Sequence, residues 1–180
     1  MKGWRRDLRW DALGREWPTP SPNLRSSSAA LLYPGVALLE TTNVSVGRGT
    51  DRPFEHLGAP WIDGAALALA MNDRKLAGVR FTATTFTPRA STFAGEWCNG
   101  VAFEITDAAA LRPVQVGLAL AIELRRAYPD AFRAAAFGAL LANDEVLAEL
   151  LRGGDLPDLL ARAEEDRADF ERRRRRYLLY

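Results

Sequence analysis

The sequence holds one histidine and one cysteine in 180 residues, and these two shortages exclude most site chemistries at the outset. With Cys98 alone, no disulfide can close within the chain, and cysteine usage leaves the redox compartment open. With His56 alone, the ligand spacings of zinc sites are missing, so no metal centre is expected. A Ser-His-Asp or Cys-His site is open only if His56 is itself the base, against the commoner reading of a lone histidine as structural. No run of about 18 apolar residues occurs, so no membrane span is expected. Excess charge of either sign is missing as well. The 24 lysines and arginines against 23 aspartates and glutamates give a formal +1, which supplies no whole-chain attraction to nucleic acid or to an anionic membrane. The opening Met1–Trp10 scatters Lys2, Arg5, Arg6, Asp7 and Arg9 and has no apolar h-region, so it does not read as a signal peptide. Such a signal could be carried upstream in a longer chain, and a periplasmic or other extracytoplasmic compartment stays open.

What is there suffices for one domain: 180 residues at 48% hydrophobic content can bury a real core, while two full domains would be crowded. Composition changes near residue 107, from proline, glycine and threonine to alanine, leucine and arginine. Trp17–Asn23 reads W-P-T-P-S-P-N, a stiff irregular loop because each proline also biases its predecessor to extended geometry. Ser26 caps a short predicted helix that Pro34 should end, and Asp63 caps another through about Asn72. Val79–Phe86 and Val101–Thr106 are rich in β-branched and aromatic residues and read as strands. Val114–Tyr128 carries helix signals at both ends, although Val116, Leu118, Leu120, Ile122 and Leu124 alternate as in a strand. Asn143 caps a helix ending at Gly153, and Pro157 opens the last one, with Leu160, Ala163, Arg167 and Phe170 on one face. The predicted class is α+β: a small sheet, long ordered loops and three to four helices concentrated in the C-terminal half.

Two segments concentrate side-chain chemistry. Leu39–Thr50, L-E-T-T-N-V-S-V-G-R-G-T, packs a carboxylate, an amide, hydroxyls and an arginine around two glycines, donors and acceptors suited to sugar hydroxyls or a carboxylate. The same residue types also make a loop that braces itself. It is not a nucleotide loop, because Arg52 stands where G-x-G-x-x-G needs its third glycine. Phe86–Gly100, F-T-P-R-A-S-T-F-A-G-E-W-C-N-G, sets aromatic faces beside polar atoms, as carbohydrate rings require. The competing expectation is that Phe86, Phe93 and Trp97 are core and Cys98 a small buried side chain. Glycoside hydrolysis needs two carboxyl groups flanking the bond. Glu40, Glu55, Glu96 and Glu104 are available, but no spacing pairs two of them. Arg172–Arg176 spreads around a helix and reads as a solvated end that suits the dipole.

Read together, W-P-T-P-S-P-N at 17–23, Y-P-G at 33–35, E-T-T-N-V-S-V-G-R-G-T at 40–50, P-F-E-H-L-G-A-P-W at 53–61, F-T-P-R-A-S-T-F-A-G-E-W-C-N-G-V at 86–101 and F-E-R-R-R-R-R-Y-L-L-Y at 170–180 resemble the exo-β-N-acetylmuramidase (NamZ-like) family. The resemblance runs in order along essentially the whole chain. It implies a bacterial hydrolase that removes N-acetylmuramic acid from the non-reducing end of peptidoglycan fragments without metal or organic cofactor. It also implies a two-domain enzyme, of which residues 1–180 correspond to the C-terminal auxiliary domain alone. The N-terminal Rossmann-like domain, in cis or trans, would carry the catalytic glutamates. Glu40, Asn43, Ser45, Arg48 and Thr50 match the family motif and are the candidate substrate-binding residues, and Glu40 is the one weak catalytic candidate. Thr41 departs from the family's E-G-T-N, standing where glycine is usual. The alternative is a free-standing, non-catalytic module that binds cell-wall sugars. An exposed apolar patch is expected near Trp17, Tyr33, Trp61 and residues 93–97, where a partner domain would dock.

Overall fold

The computed structural model describes residues 3, 5, 6 and 8–179, apart from the side chains of Glu165 and Asp166. Lys2 and Asp7 of the opening segment and Tyr180 of the terminal motif lie outside the described residues. Three strands, β1 (His56–Ala59), β2 (Val79–Phe86) and β3 (Cys98–Ile105), form one antiparallel sheet in the order β1-β3-β2. Val79 stands opposite Ile105 and Phe86 opposite Cys98, while β1 sets His56 opposite Ala102. Two-residue alternation then puts Leu57, Phe81, Val101 and Phe103 on the buried face. Helix α1 spans Ser27–Val36, and α2 (Gly64–Asp73) lies across the sheet, burying Leu67, Ala68 and Met71. Asp63 Oδ1 caps α2 by accepting from the Ala65 and Ala66 N–H groups. Asn72 closes part of the open edge of β2: its Nδ2 donates to Phe81 O and its Oδ1 accepts from Phe81 N, as a neighbouring strand would.

Helix α3 (Pro113–Ala127) runs through the centre, with Val116–Leu124 buried without interruption. A helix wrapped by core on all sides needs no polar face. That explains why its sequence alternates large and small residues instead of showing a helical stripe. The short α4 (Gly138–Leu141) leads to α5 (Asp144–Arg152) and α6 (Leu156–Arg174), which pack against each other, with α6 resting on α3. A charge network ties three elements at one corner. Glu123 of α3 accepts from Arg74 at the end of α2 (Nε, 2.7 Å) and from Arg126 (3.2 Å), and Arg74 also meets Asp155 at the start of α6 (2.8 Å).

The α+β class, the small sheet and the helix-rich second half agree with the sequence reading. Details differ for physical reasons. Helix α1 continues past Pro34 to Val36, because a proline removes only one hydrogen bond while Gly35 and Val36 are buried. Strand β3 starts at Cys98, not Val101, since pairing with Thr84–Phe86 extends it across Gly100. Strand β1 carries Gly58 and is too short to announce itself; pairing to β3 makes it a strand. On α6 the packed face is Leu156, Leu159, Leu160 and Ala163. Phe170, expected on that stripe, is 54% exposed and lies past the last residue of this packed face. Trp97 is 62% exposed and not core. Of the expected apolar patch, Tyr33 and Trp97 are exposed, while Trp17, Trp61 and Phe93 are half-buried. Phe170, Tyr177 and Leu179 on the terminal helix and its extension are exposed too. Among the described residues no helix is long and apolar enough to cross a membrane.

Candidate functional site

The polar segment starts where α1 gives way to a 3-10 turn, Ala37–Leu39, which delivers Glu40 to the surface. Thr41, at the glycine position of the motif, is not among the residues with positive φ, so its side chain costs no left-handed strain. Its hydroxyl donates to Ala136 O (2.8 Å). Asn43 is a staple: Nδ2 donates to Ala131 O and Oδ1 accepts from Arg133 N, each at 2.8 Å. Ser45 is buried, exchanges backbone hydrogen bonds with Gly58 of β1, and accepts weakly from Gly47 N (3.4 Å). Both glycines have φ of +79°, and a Cβ on Gly49 would stand 2.5 Å from the Ala90 backbone. The two sequence-predicted segments therefore lie against each other, joined by Arg89 N donating to Gly49 O (2.9 Å).

Glu40 and Arg48 are brought together as an ion pair through Glu40 Oε1 and Arg48 Nε, with Arg48 Nη2 donating to Glu40 Oε2 (3.1 Å). The Nε contact is an ion pair without hydrogen-bond alignment. Both side chains keep 29% of their surface exposed. The guanidinium also rides over the Phe54 ring at 5.0 Å, and Tyr33 meets Phe54 edge-on at 4.9 Å. Phe54 was not singled out by sequence. It is fully buried at φ 64°, a conformation that costs a bulky residue about 1 kcal/mol or more. Burying the ring beneath Arg48 offsets that cost. Arg48 has five N–H donors and uses only one edge on Glu40; its Nη1 has no partner among the described residues. A two-pronged acceptor such as a carboxylate fits that remaining edge.

Thr50 does not reach outward. Its hydroxyl donates to Gly47 O (2.6 Å) and accepts from Arg52 N (3.1 Å). With its one proton spent on Gly47, it can meet His56 Nε2 at 3.0 Å only as an acceptor, which assigns the Nε2–H tautomer. The imidazole stacks on Phe86, 4.0 Å between centroids and 6° from parallel. Burial first, and the nearby Arg52 charge second, hold the His56 pKa down from 6.5 to about 4. The unfolded chain thus takes up a proton near pH 6.5 that the folded chain refuses until about pH 4. His56 therefore contributes its full stability above pH 6.5 and loses it as pH falls through that window, on the order of 2–3 kcal/mol. Urea unfolding between about pH 7 and 4.5 should show this fall, and His56→Gln should remove the part due to this ring. A slope unchanged by the substitution would assign the fall to carboxylates instead. Burial also pushes the Cys98 thiol up to about 11, with Glu96 adding to it, which makes it a poor nucleophile at neutral pH. Among the described residues no cluster of three His, Cys, Asp or Glu side chains could hold a metal ion. Glu55, another carboxylate near the loop, accepts from Ser26 Oγ (2.6 Å) and Arg52 Nε (3.2 Å).

Comparison with known proteins agrees with this chain throughout its length. The family model described as exo-beta-N-acetylmuramidase NamZ, C-terminal, matches residues 31–180. The peptidoglycan beta-N-acetylmuramidase NamZ of Bacillus subtilis (strain 168) is 33% identical over 183 residues, covering 100% of this chain and 44% of that protein. The chain thus spans less than half the length of this curated relative. A crystal structure of a DUF1343 family protein from Bacteroides fragilis NCTC 9343 has the same fold at TM-score 0.87 and 24% identity, covering 99% of this chain and 49% of that one. A second from the same organism gives 0.65 at 29% identity, covering 91% and 44%. The chain belongs to the NamZ C-terminal family of exo-β-N-acetylmuramidases.

Proposed function

We propose that this chain is the substrate-cleft domain of an exo-β-N-acetylmuramidase-like hydrolase that releases terminal N-acetylmuramic acid from peptidoglycan fragments. An N-terminal Rossmann-like domain, in cis or trans, supplies the acid and the base. The observation that carries this reading is the Glu40–Arg48 pair, in which the Arg48 side chain keeps 29% of its surface exposed, sets one edge on Glu40 and leaves Nη1 without a partner among the described residues. Arg48 takes the lactyl carboxylate of the sugar and Glu40 orients it. Asn43, Ser45 and Thr50, whose polar groups turn toward the protein, keep the loop in shape beneath the ligand. With the N-terminal domain of a close relative added, Arg48→Lys should weaken N-acetylmuramic acid binding about tenfold while sparing N-acetylglucosamine, because an ammonium cannot copy the planar fork. Equal losses for both sugars reject the assignment.

The chain alone should not turn over a chromogenic N-acetylmuramide, since Glu40 and Glu55 are each engaged by arginine and hydrolysis needs two carboxyl groups across the bond. Turnover well above a blank overturns this. A free-standing sugar-binding module is the second reading, favoured by a hydrophobic core that this chain completes by itself. Mixing with the N-terminal domain separates the two: association and a raised melting temperature support the first, and neither effect leaves the module reading ahead.

A further inference from the structure

A second polar cleft lies away from the Leu39–Thr50 segment in sequence, where β2 runs on past the start of α2. It measures about 510 Å³ and is lined by Ile62, Asp63, Ala65, Ala83, Thr85 and Asn99, among others. Thr85 and Asn99 are cross-strand partners, so their side chains share one face of the sheet. Trp97 is joined to the lining residue Asn99 from outside the cleft: its indole N–H donates to Asn99 Oδ1 (3.2 Å), and its ring is 62% exposed. Among the described residues no aromatic ring or cation stacks on the Trp97 face. The atoms beside it are also unspent. Among the described residues, Asn99 Nδ2, Thr85 Oγ1 and Asp63 Oδ2 have no partner, since Asp63 caps α2 through Oδ1 alone.

An apolar ring face beside an amide donor, a hydroxyl and a carboxylate acceptor is the combination that recognises a pyranose, which has one apolar face and a rim of hydroxyls. Ile62, Ala65 and Ala83 add a small apolar wall that suits a methyl group, as on an acetamido substituent. Asp63 puts a negative charge in the cleft, and among the described residues no basic side chain lines it, so an acidic sugar is disfavoured. We propose that this cleft binds a neutral N-acetylated amino sugar of the N-acetylglucosamine type, stacked on Trp97 and hydrogen-bonded by Asn99, Thr85 and Asp63. The inference rests on this cleft and not on the Glu40–Arg48 reading.

The test titrates the full chain with the β-1,4-linked tetramer of N-acetylglucosamine, following tryptophan fluorescence and backbone amide shifts. Saturable changes are expected at Thr85, Trp97 and Asn99. Trp97→Ala should weaken binding at least about tenfold, in line with the cost of removing an aromatic stacking partner, and Trp97→Phe should restore part of it. Free N-acetylmuramic acid should bind more weakly, and Asp63→Asn should narrow that difference. Arg48→Ala should leave tetramer binding unchanged, which keeps failure here distinct from failure of the proposed function. Shifts confined to other residues, no saturation, or equal binding by Trp97→Ala each overturn the proposal. Because Trp97 is exposed, its substitution should leave the melting temperature in place, and the amide shifts of the unmodified chain decide the matter if it does not.

Discussion

Glu123→Ala is expected to lower the stability of the folded chain by about 4 kcal/mol, the scale seen when one partner of a buried ion pair is removed. Glu123 is buried on the central helix, and its Oε1 is the meeting point of Arg74 and Arg126. Arg74, with 12% of its side chain exposed, would keep only Asp155, which is itself half open to water. The cost arises from stranding the guanidinium more than from any net attraction, since the intact pair roughly offsets its own desolvation. Two consequences separate this account from simple loss of packing. Arg74→Ala with Glu123→Ala should cost less than the sum of the singles, by about 1 kcal/mol or more. Replacing both with leucine or methionine should recover most of the loss. Urea unfolding of the unsubstituted chain and the four variants measures all of this, and strictly additive losses in the alanine cycle would show that the two side chains do not act as a pair.

Much of the scaffold was legible because its signals are local. Ser26, Asp63 and Asn143 each cap the helix assigned to them, and Gly153 ends α5 in the left-handed region at φ 99°. These depend on a hydroxyl, carboxylate or amide beside a free N–H, or on one glycine, and nothing distant can override them. The features that were not legible depend on partners far along the chain. Strand β1 exists through β3, more than 40 residues later. The stop expected at Pro34 was overridden by packing on α3.

At the candidate site the residue types pointed to polar contacts but not to their direction. Asn43 and Thr50 have the donors and acceptors of a sugar site, yet the fold spends them on Ala131, Arg133, Gly47 and His56. No spacing within a 12-residue segment could reveal that residues 131–133 would come to lie beside Asn43. Phe54 was missed for the same reason, since its buried place under Arg48 is a tertiary fact. Its only sequence signal is a large aromatic in a loop, after Pro53. Trp97 went the other way, because aromatic residues are usually buried and this one is held out by the Asn99 amide.

Gly35→Ala should be the costliest single-methyl change in the chain, about 4 kcal/mol, at the upper end of what overpacking does. A Cβ built on Gly35 would stand 1.7 Å from Pro113 O, and one on Gly117 2.3 Å from Gly35 O. The backbones of α1 and α3 therefore touch at this crossing, with glycine on both sides. Neither neighbour is the end of a flexible side chain, so relief requires one helix to move off the other. The loss should lower the melting temperature by about 10 °C or more for a domain of this size. Gly95 is the control: nothing lies within 4 Å of its Cβ and its φ is +82°, so Gly95→Ala should cost only the left-handed penalty of about 1 kcal/mol. Because α1 runs through the Ala37–Leu39 turn into Glu40, a helix pushed off α3 also displaces the pair that holds Arg48. If the proposed function holds, any Gly35→Ala protein that still folds should therefore bind N-acetylmuramic acid more weakly once the proposed N-terminal partner is added, with the cleft lined by Thr85 and Asn99 less affected. A Gly35→Ala chain as stable as the Gly95→Ala control would mean that α1 and α3 do not meet backbone to backbone.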